Sequence, residues 1–252
     1  MLNSRASARL TTSREWSASD YRRLTRPTDL VSFSIRVKQT DMRVAAEGDL
    51  EREAFPLVLE ARDQVEKYIE LYPEFLSSLV PLDHDPGAAP AVVAAMLTAS
   101  RRAEVGPMAA VAGAIAEYVG QGLLRNSPEI IVENGGDLFM RSRHRRELTL
   151  LAENTPLMGV RIAVPPAPQG VGIATSAGTL GHSLSFGRAD AVMIMAENGA
   201  LADALATAIG NIVQGAEDLA PALARARELG AQAAVIVADG HLGAYGGIEL
   251  IG

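Results

Sequence analysis

Asp203 and Thr207 stand four residues apart in the run Ala200-Leu201-Ala202-Asp203-Ala204-Leu205-Ala206-Thr207-Ala208-Ile209. On a helix they share one face. Nearly every neighbour is apolar, and an unpaired carboxylate in such surroundings costs several kcal/mol or holds its proton. A hard cation is one solution. Mg²⁺ takes one or two protein carboxylates together with phosphate oxygens and water. A helix cap or a buried Asp–Arg pair is the other, although Asn198 is better placed than Asp203 to cap this helix. A second constellation is Asn134-Gly135-Gly136-Asp137, just after the apolar run Ile130-Ile131-Val132. Its glycines can leave backbone amides open to an anion; Asn-Gly is equally a strong hairpin signal.

Three further stretches carry chemical potential. Thr175 to Gly187 gathers hydroxyls, glycines and His182, of which Thr175 and Ser176 suit phosphate or sugar contacts. His182 is the one acid–base candidate near neutral pH; a plain Ser/Gly-rich loop is the competing view. Gly106 to Ala116 is a small-residue helix that lets a backbone or a planar ligand approach, or simply packs tightly. Arg141, Arg143, Arg145 and Arg146 could meet phosphates, but a solvated loop between Met140 and Leu148 is the simpler expectation. His84 and His241 lack metal-ligand spacing, Asp190 suits a turn, and no Walker, G-x-G-x-x-G, H-E-x-x-H or G-x-S-x-G motif occurs.

Elements must position these groups. Residues 1–18 read as disordered, and 19–252 as one intertwined α+β domain, with mixed or antiparallel sheets packed against several helices. Alternation at Ser32–Lys38 predicts a strand paired with Met42–Ala46 through Gln39-Thr40-Asp41. Helices are expected at 49–72, with Pro56 kinking it or in its first turn, and at 91–102. A third runs from Pro107 to Leu124, and two more occupy 200–213 and 219–229. Strands are expected at 128–132, 138–140, 148–152, 160–164, 172–175, 191–196, 235–238 and 248–251, with Pro165, Pro166 and Pro168 in an exposed connection.

Composition narrows the function. A net charge of −7 disfavours a nucleic-acid partner, since phosphate neutralisation needs a basic face. No apolar run approaches the ~20 residues of a membrane span, and Met1–Asp20 has no apolar targeting core. The absence of cysteine removes thiolate chemistry and fits the cytoplasm. Ala-rich helices leave a homodimer open.

Together these motifs resemble the ApbE family of flavin transferases, which move FMN from FAD to a protein Thr or Ser with Mg²⁺. The resemblance rests on the small-residue helix Met108–Glu117, Gly135-Gly136-Asp137, Thr175-Ser176 and Ala202-Asp203-Ala204-Leu205-Ala206-Thr207, across roughly residues 105–215. Over residues 20–252 the chain resembles a separate, cytoplasmic branch of that superfamily, through Val105–Gly113, Val132–Asp137 and Gly187-Arg188-Ala189-Asp190. The resemblance implies Mg²⁺ ligation by Asp203, Thr207 and the Ala109 carbonyl. It also implies FAD or FMN as the small phosphorylated ligand, held by Asn134, Gly135, Gly136, Asp137, Thr175 and Ser176. The chain departs from the transferases where they carry an Asp (here Gly106), a Lys (here Ala112) and a His-Ile-Ile-Asp-Pro segment (here Gly181–Gly187). Flavin transfer or pyrophosphate cleavage is therefore set against a binding module without turnover, and against an enzyme acting on an unrelated small metabolite.

Overall fold

The structure, a computed structural model, describes residues 27–152, 155, 157, 159–176 and 187–251. The hairpin β1 (Val31–Val37) and β2 (Thr40–Ala46) turns through Lys38 and Gln39, so β1 ends one residue before the expected Lys38 and β2 begins two residues before the expected Met42. Helix α1 (Glu51–Leu71) follows, with Pro56 inside it beyond the first turn, then the single turn α2 (Glu74–Ser77) and α3 (Ala91–Ala103). Pro107 opens a 3₁₀ turn (Pro107–Ala110) leading into α4 (Val111–Leu123). Four strands come next: β3 (Ile130–Asn134), β4 (Asp137–Ser142), β5 (Arg146–Leu150) and β6 (Val160–Val164). They are followed by β7 (Ala167–Ser176), β8 (Ala191–Ala196), α5 (Gly199–Ile212) and α6 (Leu219–Glu228). The last strands are β9 (Ala233–Ala238), β10 (His241–Gly246) and β11 (Glu249–Ile251).

The α+β expectation holds, and every strand pair among the described residues is antiparallel. Eight strands form one sheet in the order β1-β2-β3-β4-β7-β8-β9-β10, and three form another in the order β11-β6-β5. Strand alternation divides the core in two. On β8, Val192, Ile194 and Ala196 face the helices, while Ala191, Met193 and Met195 face the small sheet. Helix α5 is the axis of the helical layer: Leu201, Leu205 and Ile209 are fully or almost fully buried, each worth about 1.5–3 kcal/mol of transfer free energy.

Two expectations need correction here. Pro168 does not lie in the connection but inside β7, where the register against β4 shifts between Met140 and Ser142; the irregularity tolerates a residue without an amide donor. The arginine run is a solvated turn only at Arg143, His144 and Arg145, which are exposed. It is the β4–β5 turn and the strand ends beside it, and its cations are engaged by the protein. Arg146 is buried and meets Asp29 at 2.6 Å and Glu129 at 3.3 Å. Arg143 meets Glu129 at 3.1 Å, Arg145 meets Glu249 at 2.9 Å, and Arg141 donates to the Pro168 carbonyl at 2.9 Å.

Candidate functional site

Asn134 and Asp137 close the β3–β4 hairpin across Gly135 and Gly136, whose φ values of 67° and 106° are the left-handed pair that a two-residue hairpin turn requires. The turn is thus a hairpin first. The Gly136 amide donates to Glu133 Oε1 at 2.9 Å and is not open to an anion. Asn134 Nδ2 donates to the Ala112 carbonyl at 3.1 Å, tying the turn to the start of α4. Asp137 is buried on the helical face, on the same side of β4 as Phe139.

Helices α4 and α5 meet backbone to backbone. A Cβ added to Gly113 would stand 2.1 Å from the Gly199 carbonyl oxygen, and one on Gly199 would stand 2.4 Å from that of Gly113. Only glycine fits at either position. The small-residue helix is therefore small at Gly113 for the sake of another helix, not of a planar ligand. Across this contact Asp203 Oδ2 accepts the Gly113 amide at 3.0 Å. Glu117 Oε2 accepts the Gly199 amide at 2.7 Å. Each helix supplies a carboxylate to the first turn of the other, where unpaired amides and the positive end of the dipole favour negative charge. Asn198 caps α5 itself by accepting the Leu201 amide at 2.8 Å.

Asp203 thus does cap a helix, but a neighbouring one, and among the described residues it meets no guanidinium. Burial pushes its carboxyl up to about 7 despite the opposing amides of Gly113 and Ala112. Asp137 is held well above the usual range, first by burial, then by the charge of Asp203 nearby. The Thr175 amide, at 3.3 Å from Asp137 Oδ1, opposes this. Among the described residues neither Asp137 nor Asp203 makes an ion pair, and no group of three or more His, Asp or Glu side chains gathers as a metal cluster. The pair is a two-carboxylate arrangement.

The remaining sequence candidates distribute as follows. Thr207 lies one turn along α5 from Asp203 and is half-buried. Ser176, the last residue of β7, packs against the same helix, with its Oγ 3.4 Å from where a Cβ on Gly210 would stand. Half-buried Ala109 sits in the 3₁₀ turn, which packs on α5. Thr175 departs from the group. Its hydroxyl donates to the Gly136 carbonyl at 3.1 Å, and its side chain lines a cavity of about 20 Å³ on the small-sheet side with Glu133 and Thr149, room for roughly one water. His182 lies outside the described residues. His84 is engaged by Tyr68 Oη at 2.9 Å, and His241 by the Asp239 carbonyl at 3.0 Å. Glu117 is the residue that sequence reasoning missed. A lone Glu among small apolar residues was a signal, but its partner is 82 positions away.

Fold and motif order define an ApbE-like protein. The chain matches a structure titled as the flavin transferase ApbE from Vibrio cholerae with a TM-score of 0.53, at 15% identity over 87% of this chain and 97% of that one. It matches the ApbE protein of Thermotoga maritima with a TM-score of 0.54, also at 15% identity, over 88% and 96% of the two chains. At such identity the likeness is one of fold.

A family profile described as "AbpE bacteria" matches residues 22–244, and the chain belongs to that family. Among curated relatives, a UPF0280 protein of Methanothermobacter thermautotrophicus is 40% identical over 76% of each chain. Another, from Methanopyrus kandleri, is 37% identical over 86% of this chain and 91% of its own length.

Proposed function

We propose that this protein binds the phosphate of a flavin or a similar nucleotide, with Mg²⁺, at the Asp137–Asp203 end of the β3–β4 hairpin. One observation carries this: two neighbouring carboxylates are desolvated together, each with its pKa raised, and no cation among the described residues balances them. Two like charges at one site resist joint ionisation until a cation joins them. Hard oxygen donors on helix α5 and β4 suit Mg²⁺. Asp203 and Asp137 would carry the charge, Thr207 would supply a neutral oxygen, and the Ala109 carbonyl could complete the set. Bound there, Mg²⁺ would neutralise phosphate charge. Gly135 and Ser176 would border the phosphate or sugar, whereas Thr175, turned to the small sheet, would only brace the turn. Asn134 and Gly136, already hydrogen-bonded within the protein, would fix the turn and not contact the ligand.

Flavin transferase activity or pyrophosphate cleavage follows from the family resemblance alone, with His182 the acid–base candidate. One local observation favours binding without turnover. A Cβ on Gly106, where the transferases carry Asp, would stand 1.8 Å from the Ser78 carbonyl oxygen, so that side chain has no room here.

Titration calorimetry with FAD, FMN and ATP, each with and without Mg²⁺, tests the binding. Mg²⁺-dependent heat with at least one of them, abolished in Asp203→Ala, is the expected result. Silence with all three would remove the proposal. Chromatography for AMP after incubation with FAD and Mg²⁺ then separates turnover from binding.

A further inference from the structure

Helix α5 presents Asp203, yet the amide that starts α5 is held by a side chain of α4. Gly199 is buried and its N–H points to Glu117 Oε2 at 2.7 Å. Glu117 also interacts with Gln121 on its own helix, so its carboxyl is braced from behind. The opposite crossing, Asp203 to the Gly113 amide at 3.0 Å, lies on the other side of the same glycine contact. The two bonds close a ring: Gly113 to Asp203, along α5 to Gly199, across to Glu117, and back along α4 to Gly113. A displacement at either bond is felt at the other, because the helical segments between them are rigid and the glycine backbones are already in contact.

We infer that Glu117 is a positioning residue for the acidic pair: by holding the Gly199 amide it fixes α5 against α4 and so fixes the direction in which Asp203 points. Its burial, its charge-assisted bond and its place four residues along α4 from Gly113 suit that task. Glu197, an acidic residue near Glu117 in space that lies just before α5, is turned to Arg102 at 2.8 Å and does not compete for the amide. The inference rests on the proposed function only for its consequence on ligand binding; the ring itself is independent of it.

Two measurements test it on the 252-residue chain. The first is amide hydrogen exchange without ligand. Glu117→Ala should speed exchange at Gly199 and, across the ring, at Gly113, while Glu117→Gln, whose carbonyl oxygen still accepts, keeps both slow. The second is Mg²⁺-dependent FAD affinity by calorimetry. Glu117→Ala should lose about tenfold, the factor one charge-assisted hydrogen bond represents, and Glu117→Gln should recover most of it. Faster exchange at Gly199 alone, with Gly113 unchanged, would overturn the inference. So would unaltered FAD affinity in Glu117→Ala. If the wild-type chain binds none of FAD, FMN and ATP, the proposed function fails and the exchange measurement still decides this one. Should Glu117→Ala not fold, Glu117→Asp withdraws the acceptor by one methylene and is expected to loosen Gly113 in the same way.

Discussion

The two ends of the β3–β4 hairpin treat buried carboxylates in opposite ways. At one end Glu129 lies just ahead of β3. Burial pushes its carboxyl up, but the Arg143 amide, Ser142 and the guanidiniums of Arg143 and Arg146 outweigh this and hold it at about 2. At the other end Asp137 and Asp203 have amides and one another, and Asp203 rises to about 7. The first end has its countercharge built in and is structural. Among the described residues the second has no such countercharge, which is what the proposed external cation would supply.

The largest blow to this contrast is Arg146→Ala. It leaves Glu129 and the Ser142 hydroxyl without their buried cation, and should lower stability by about 3–5 kcal/mol, read from urea unfolding. A loss below about 1 kcal/mol would show that the basic end is not the structural one. Gly113→Ala comes next. Its methyl group must displace the Gly199 carbonyl, and we expect a loss of about 1–3 kcal/mol together with weakened Mg²⁺-dependent nucleotide binding.

A pH series sharpens the comparison further. Folded and metal-free, Asp203 keeps its proton to about pH 7, whereas unfolded it releases it near 3.8. The unfolded chain therefore binds fewer protons across that window, and this group makes stability fall as pH rises from 3.8 to about 7. Glu129 acts in the opposite sense: its contribution is complete above 4.5 and is lost as pH falls towards about 2. Asp203→Asn should flatten the upper slope and leave the acid limb unchanged, measured as urea midpoints from acid to neutral pH. An unchanged upper slope would remove Asp203 as its source. The smallest effect is expected from Arg145→Ala, which breaks an exposed pair with Glu249 and should cost within about 0.5 kcal/mol.

Much of this arrangement was legible in the residues. Asn134-Gly135-Gly136-Asp137 carries its own backbone geometry, Pro107 marks the lead into α4, and Asn198 announces the start of α5, because turns and caps are local chemistry. Strand β10 was not seen. Its glycines, Gly243 and Gly246, and its half-exposed edge position blur the alternation that marks a strand. Arg146 was concealed in a charge run, although Arg146, Leu148 and Leu150 keep the two-residue period of an inward face. The apolar setting of Asp203 was readable, but not its acceptance of the Gly113 amide. That bond joins residues 90 positions apart, and a one-dimensional pattern holds no trace of it.

Asp29 grips Arg146, so the polypeptide ahead of β1 is fastened beside the β4–β5 turn, across the length of the hairpin from Asp137. A fluorophore placed at exposed Thr28 therefore sits at the far end of the hairpin from the acidic pair and leaves that pair free for titration.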